Sequence, residues 1–489
     1  MTEDHAMTEP ASPARSAEQP DPLPHAKPPA RPPAGGHGGD LVPFRQAVRA
    51  WFAISLQTFG GPAGQIAVMQ RTLVEERRWI GQQRFLHALN YCMLLPGPEA
   101  QQLAVYIGWL LNGVRGGLAA GILFVLPGAV ALLVLSAVYV AWGDATAVTA
   151  VFAGLAPAVV AVVAQALLRV AGRALGHPAL VVLAAAAFVA LAVFAVPFPL
   201  VVAAAAVVGW LLGRLAPQAI ASNAKGAHDG IGGPAPLIPD HALHAERPSG
   251  RRAVRILLVG LLLWAAPLAA VAAFTGTGST FTAQGLFFSG AALVTFGGAY
   301  AVLAFVAQRA VETYGWLSAG DMVRGLALAE TTPGPLIMVV QFVAFLGAYH
   351  HPGPLSPWAA ALLGALLTTW VTFVPCFLFI FLGAPYVERL RGNHAISAAL
   401  AGITAAVVGV IANLALYFAV HTLFASSHPR RWGPVRLELP EVASLQPVPL
   451  AITVAALVMI FRLRWSVPRT LAVCALLGLA VTAAGMAVR

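Results

Sequence analysis

The stretch Thr58-Phe59-Gly60-Gly61 recurs as Thr295-Phe296-Gly297-Gly298, and Pro96-Gly97-Pro98 recurs as Pro333-Gly334-Pro335, in both cases 237 residues later. Aligned without gaps at this offset, the 47 positions from residue 52 onward share 13 identities. Both copies lie in apolar sequence that Gly and Pro interrupt at matching points. A duplicated apolar unit with interrupted helices indicates a transporter whose site lies between two repeats.

The composition places the chain in a membrane. Of its 489 residues, 59% are hydrophobic and 10% are charged, whereas a soluble domain carries about 25% charged residues. The net charge of +10 does not indicate a nucleic-acid partner, because Lys and Arg lie mostly between the apolar runs, where they set orientation. The predicted partner of the apolar surface is the lipid bilayer.

Changes in composition along the chain predict five regions. They are a disordered Pro-rich tail (1–43), a first transporter repeat (44–215), a flexible cytoplasmic linker (216–252), a linking transmembrane helix (253–275) and a second repeat (283–489).

Basic residues at the ends of the apolar runs predict how the repeats face the membrane. An even number of crossings in the first repeat puts both of its ends inside, and the single linking helix then reverses the second repeat. Arg430, Arg431 and Arg436 would lie outside, against this rule. We therefore predict an all-α polytopic membrane protein of two inverted-topology repeats, whose interrupted segments are either broken helices or re-entrant hairpins.

The four interruptions predict an anion site. A break in hydrocarbon leaves N–H groups that need a partner, and a half-helix that starts there directs its positive dipole end at the same place. Nearby hydroxyl and amide groups can add donors to an oxyanion. The substrate-binding candidates are Thr58, Gly60, Gly61, Pro62, Gln65, Pro96, Gly97, Pro98, Gln101, Gln102, Thr295, Gly297, Gly298, Thr332, Pro333, Gly334 and Pro335.

Two acids adjoin the Pro-Gly-Pro breaks, Glu99 after the first and Glu330 before the second. Because burial disfavours a charged carboxylate, both are candidates for proton coupling. The alternative is that they cap half-helix ends or face solvent. The sequence shows no catalytic constellation, and its Cys and His residues lack metal-ligand spacing, so we expect no catalytic residue, metal or cofactor.

Five stretches resemble the chromate ion transporter family in its two-domain form. They are FGGPAGQIAVMQ (59–70), VEERRW (74–79), LPGPEAQQLAVYIGW (95–109), TFGGAYAVLAFVAQ (295–308) and TTPGPLIMVVQFVAFLGAY (331–349). The resemblance implies proton-driven export of chromate across the bacterial inner membrane, with chromate resistance as the result. Many members of that family have His where this chain has Gln65, and the second repeat has Ala299 in place of Pro62. Met338 and Val339 replace Gln101 and Gln102.

Several alternatives remain open at this point. Sulfate has the shape and charge of chromate, so a permease for sulfate or another oxyanion fits the same pattern. A channel and a polytopic membrane enzyme are further alternatives, although no nucleophile or acid–base motif supports the enzyme. We also consider a homodimer, with the N-terminus and the central linker in the cytoplasm.

Overall fold

The computed structural model describes residues 40–59, 61–218, 236–239, 249–296, 298–384 and 394–485. Most of the predicted tail and linker lies outside the described residues, as do Gly60 and Gly297 of the candidate site.

Within the described residues the chain forms sixteen α-helices, which confirms an all-α polytopic membrane fold. The first half contains α1 (Phe44–Ser55), α2 (Gly61–Gln70), α3 (Gln82–Cys92), α4 (Glu99–Trp142), α5 (Thr146–Ala174), α6 (Pro178–Ala192), α7 (Phe198–Leu215) and α8 (Gly250–Thr275). The second half contains α9 (Thr280–Val294), α10 (Ala299–Gln308), α11 (Ala319–Thr331), α12 (Val339–His350), α13 (Pro357–Gly383), α14 (His394–Leu423), α15 (Pro447–Leu457) and α16 (Val467–Ala483). Six of these, α4, α5, α7, α8, α13 and α14, are long and apolar enough to cross a membrane.

The sequence repeat extends to the backbone. α2 and α10 each continue into a short π-helix, Arg71–Glu76 and Arg309–Thr313, at equivalent positions. The Trp79 N–H donates to Leu73 O over 2.8 Å, and at the same offset the Trp316 N–H donates to Ala310 O over 2.9 Å. The two copies therefore share local geometry as well as residues.

α4 reverses direction within its length. Asn112 has non-helical dihedral angles, and Gly113 takes a φ of +62° that favours glycine. Residues on either side then pack on each other, since a β-carbon added at Gly108 would lie 2.5 Å from Gly116 O. Arg115 donates to Asp40 over 2.6 Å, which holds the pKa of that carboxyl below its usual range. α12 and α13 form the matching helical hairpin of the second half.

Helices of the two halves pack on each other at close range. α5 of the first half packs on α15 and α16 of the second, and α14 of the second half packs on α6 and α7 of the first. Glycines allow this approach, since a β-carbon at Gly209 would lie 2.7 Å from Gly402 Cα, and one at Gly478 would lie 2.9 Å from Gly154 Cα. Each half therefore completes its packing only with the other.

Equivalent helices of the two hairpins lie antiparallel. A β-carbon at Gly117 would lie 2.8 Å from Phe381, and one at Gly121 would lie 2.5 Å from Phe377. Residue numbers increase along α4 in the direction in which they decrease along α13, so the two helices run in opposite directions, as inverted repeats require. The inversion relative to the membrane stays a prediction.

Two elements lie outside this arrangement. α8 has no buried residue and packs on α9 and α13, so its remaining surface suits contact with lipid. Strands β1 (Ser427–Trp432) and β2 (Val435–Pro440) form an antiparallel hairpin that the sequence did not predict. This hairpin carries Arg430, Arg431 and Arg436.

Candidate functional site

The breaks of the two halves are joined by crossed hydrogen bonds. The Gly334 N–H donates to Thr58 O over 3.0 Å, and the Gly97 N–H donates to Thr295 O over 2.8 Å. Thr58 corresponds to Thr295, and Gly97 to Gly334, at the same offset of 237 residues. Reciprocal contacts of this kind are typical of a twofold relation between two units. The structure thus brings each Thr-Phe-Gly-Gly break against the Pro-Gly-Pro break of the other half.

Glycine is required at both Pro-Gly-Pro breaks. Gly97 has a φ of +122° and Gly334 a φ of +105°, where other residues are strained. A β-carbon at Gly97 would also lie 2.8 Å from Cys376 Sγ. One at Gly334 would lie 3.2 Å from Gly128 Cα. The backbone therefore approaches its neighbours as closely as atoms allow.

Most of the predicted anion donors hold the broken backbone in place. Gln65 Nε2 donates to Gly334 O over 2.5 Å, and Gln102 Nε2 donates to Pro96 O over 2.7 Å. The hydroxyl groups of three candidates donate to carbonyls of their own helices, namely those of Thr58, Thr295 and Thr332. These donors are therefore engaged within the protein.

The remaining predicted residues lie around these bonds. Pro98 caps α4, and Pro335 caps the 3₁₀ turn Leu336–Met338 that leads into α12. Gly61 and Pro62 begin α2, and Pro333 adjoins the buried Gly334. Gln101 is fully buried, and neither end of its amide has a hydrogen-bond partner among the described residues.

Glu99 lies where the positive ends of two helices meet. It is the first residue of α4, and a β-carbon at Gly298, the cap of α10, would lie 3.2 Å from Glu99 Oε1. Glu99 is partly exposed, although the residues on either side of it are buried. First-turn N–H groups and the helix dipole favour an anion there. The carboxylate of Glu99 therefore marks a position suited to a negative group.

Glu330 forms a second acidic position, near the start of α2. Tyr300 OH donates to Glu330 Oε1 over 2.5 Å, and Glu330 is only 2% exposed. A β-carbon at Gly61 would lie 3.8 Å from Tyr300 OH, so this pair adjoins the start of α2. The two predicted acids thus lie beside breaks of both halves.

Two arginines of α5 lie within electrostatic range of these acids. Arg169 and Arg173 are four residues apart, which places them on one face of the helix, and both are exposed. Arg173 is within this range of Glu99, and Arg169 is within it of Glu330. Sequence reasoning assigns these arginines only an orientation role, because basic residues at the end of an apolar run are common. Their spacing was the available signal.

Comparison with known protein families identifies the family to which this chain belongs. The chain matches the family described as Chromate transporter over residues 45–210 and 282–479. The chain belongs to the chromate transporter family. The Chromate transport protein of Pseudomonas aeruginosa is 32% identical over 377 residues, which cover 75% of this chain and 79% of that protein. The Chromate transport protein of Cupriavidus metallidurans is 28% identical over 407 residues, which cover 79% and 85%. No solved structure gives a significant match.

Family membership and apolar helices together identify a multi-pass membrane protein of a transporter family. Both regions that match the chromate transporter family contain part of the site: the first includes Glu99, Arg169 and Arg173, and the second includes Tyr300 and Glu330. Within the described parts of the chain, no three His, Cys, Asp or Glu side chains are grouped so that they could hold a metal ion.

Proposed function

We propose that this protein is a secondary transporter that exports chromate from the cytoplasm across the bacterial inner membrane, coupled to protons, and so confers chromate resistance. The relatives named as chromate transport proteins support the substrate. The observation that carries the proposal is the pair of crossed hydrogen bonds, Gly334 to Thr58 and Gly97 to Thr295. They bring opened backbone of both halves together, and this supports a carrier whose site lies at the repeat interface.

The anion would bind where Glu99 now lies. Chromate is a tetrahedral dianion, and the starts of α4 and α10 offer it N–H groups and positive dipole ends. Arg169 and Arg173 add positive charge from α5 without a permanent ion pair in the break. The other candidate residues form and hold the broken backbone around this position. The amide of Gln101, which has no partner among the described residues, is a side-chain donor open to the anion.

Proton coupling follows from competition between two negative groups. A dianion beside the ionised Glu99 would be repelled, so its binding favours the protonated carboxyl. Glu330, which accepts from Tyr300, is the second candidate carrier. By linkage, protonation of an acid raises the affinity for the anion by the same factor by which the anion raises the affinity of that acid for the proton.

Transport would proceed by rocking of the two repeats, residues 44–215 and 283–489, about this shared site. The repeats face the membrane in opposite senses, with the N-terminal tail and the 216–252 linker in the cytoplasm. An inside-negative potential drives anion exit with about 2.3 kcal/mol per charge per 100 mV. The bilayer surrounds the helices, and a homodimer is compatible with this arrangement.

Everted membrane vesicles test the proposal, because export then becomes uptake. We expect vesicles that contain the full chain to accumulate labelled chromate when energised, because the membrane potential drives the anion into the lumen. Since each anion would carry a proton into the acidic lumen, an ionophore that dissipates only the pH gradient should speed this uptake. Vesicles from cells lacking the protein are the control. Accumulation of labelled sulfate that chromate does not inhibit would instead identify a sulfate permease, and uptake of neither anion would overturn the proposal.

A further inference from the structure

A row of buried polar side chains runs along one face of α13. Gly364, Thr368, Thr372 and Cys376 follow each other at four-residue spacing, so they share a face of the helix. Thr368 is fully buried and Thr372 is 2% exposed, yet neither hydroxyl has a hydrogen-bond partner among the described residues. Thr369, one position away, donates normally to Ala365 O over 2.8 Å. Buried hydroxyls rarely stay unpaired.

The row extends from the Pro96-Gly97-Pro98 break to the far end of the hairpin that α12 and α13 form. At one end, Cys376 Sγ lies against Gly97, as does the amide of Gln102. At the other end, a β-carbon at Gly364 would lie 2.8 Å from Gln284 Oε1. The span from residue 364 to residue 376 is about 18 Å long at 1.5 Å per residue. The row thus leads from the middle of the fold toward the start of α13.

The flanking helices add further unpartnered atoms. Gln284 Oε1 on α9, Gln341 Oε1 on α12 and Gln102 Oε1 on α4 are all buried without a partner in the described part of the chain. Both α9 and α12 pack on α13. Each such atom costs about 1–3 kcal/mol if nothing satisfies it. These unpartnered atoms lie on α13 and on the helices that pack against it.

The equivalent face of the first half is apolar. Gly128 of α4 lies against Gly334, as Cys376 of α13 lies against Gly97. Stepping back along α4 at the same spacing gives Phe124, Ala120 and Gly116 in place of the two threonines and Gly364. The polar row is therefore a property of the second half and not a requirement of the hairpin fold.

We propose that this row is the closed half of the anion passage, with Thr368 and Thr372 as its hydroxyl donors. The inference rests on the proposed transport function and extends it. In the closed arrangement the helices pack together, and the hydroxyls lack partners. When the repeats rock, water and the oxyanion enter between α13 and α12, and neutral donors replace part of the anion's hydration shell. The anion then leaves toward the Pro357 end of α13.

Valine variants separate this role from packing. Thr368→Val and Thr372→Val keep the side-chain shape and remove an unpaired hydroxyl, so the thermal stability of the purified full chain should stay equal or rise. Chromate counterflow in proteoliposomes should fall about tenfold, since a hydrogen bond to a charged group is lost in the rate-limiting passage. Thr369→Val, which loses a paired hydroxyl off the row, should leave counterflow unchanged. Wild-type counterflow in both row variants would overturn the passage.

Thiol labelling gives a second readout that does not depend on the substrate. In a full-length chain with Cys92, Cys376 and Cys474 changed to Ala, Thr372→Cys should react with a membrane-impermeant anionic methanethiosulfonate, from the Pro357 side only. Thr369→Cys should not react. Equal inertness of the two thiols from both sides would refute the passage even if chromate transport is normal. Labelling of Thr372→Cys without any chromate uptake would uphold the passage and refute chromate as its substrate.

Discussion

Glu99 is the side chain at which we propose that anion binding and proton binding meet. Its carboxylate lies at the start of α4 and beside the cap of α10, so it occupies a place that helix dipoles make favourable for negative charge. An acid kept in such a place has a role only if its charge can be removed when the substrate arrives.

We expect Glu99→Gln to transport chromate without proton coupling. Glutamine keeps the size and one carbonyl oxygen but cannot titrate, so counterflow should persist while a chromate gradient no longer moves protons. A pH-sensitive dye trapped in proteoliposomes measures this movement. Glu75→Gln, at an exposed carboxylate, is the control and should behave as wild type. Full proton movement in Glu99→Gln would remove Glu99 from the coupling mechanism.

Gly334→Ala should distort the backbone of the Pro333-Gly334-Pro335 break. Its φ of +105° and the 3.2 Å approach to Gly128 Cα add strain of about 1–3 kcal/mol, and the crossed bond to Thr58 should weaken. We expect a lower melting temperature and at least tenfold slower counterflow. Gly353→Ala is the matched control, since Gly353 also has positive φ (+58°) but meets no atom within 4 Å. Equal effects of the two changes would mean that the break is not special.

At the scale of elements, the helices depend on close contacts between halves. α7 meets α14 at Gly209 and Gly402, and α5 meets α16 at Gly154 and Gly478. In a bilayer such small-residue contacts replace the hydrophobic drive that soluble helices have.

Gly209→Val should separate α7 from α14. The added β-carbon alone would lie 2.7 Å from Gly402 Cα, and overpacking of this kind costs about 1–3 kcal/mol. We expect less folded protein in detergent by size-exclusion chromatography. Gly172→Val on α5, where no atom lies within 4 Å, should have little effect. An undiminished yield of Gly209→Val would show that the helix contact tolerates separation.

The sequence predicted the locations of the helices better than the contacts that the helices make with each other. Hydropathy and the Gly and Pro interruptions located the helices, because both signals are local. The bond from the Gly334 N–H to Thr58 O joins residues 276 apart, and it uses backbone groups that nearly every residue carries. The β1–β2 hairpin was not predicted, and Arg169 and Arg173 were not among the candidates, for a related reason: short polar segments and basic helix ends have many ordinary explanations.

At the scale of the whole molecule, we predict that the two halves face the membrane in opposite senses. The antiparallel contact of α4 with α13 supports inversion, as does the parity of the predicted crossings. A pair of equivalent surface positions can decide it, because inversion puts them on opposite sides.

We expect Glu75→Cys and Glu312→Cys to react from opposite sides of the membrane. Both positions are exposed and 237 residues apart, and the native cysteines are buried. Impermeant maleimide applied to right-side-out and everted vesicles should label Glu312→Cys in the first and Glu75→Cys in the second. Labelling of both from the same side would establish parallel repeats and require a different transport cycle.

The packing of helices from one half on helices of the other has a consequence for biosynthesis. α6 and α7 leave the ribosome long before α14, on which they pack. The hydrogen bond that Thr58 O accepts from the Gly334 N–H can form only after Gly334 has been synthesised. The nascent first half must therefore persist in the bilayer with incomplete contacts until translation is nearly finished. Premature termination would leave an unfinished insertion product, recognisable to membrane quality-control proteases, rather than a smaller working carrier.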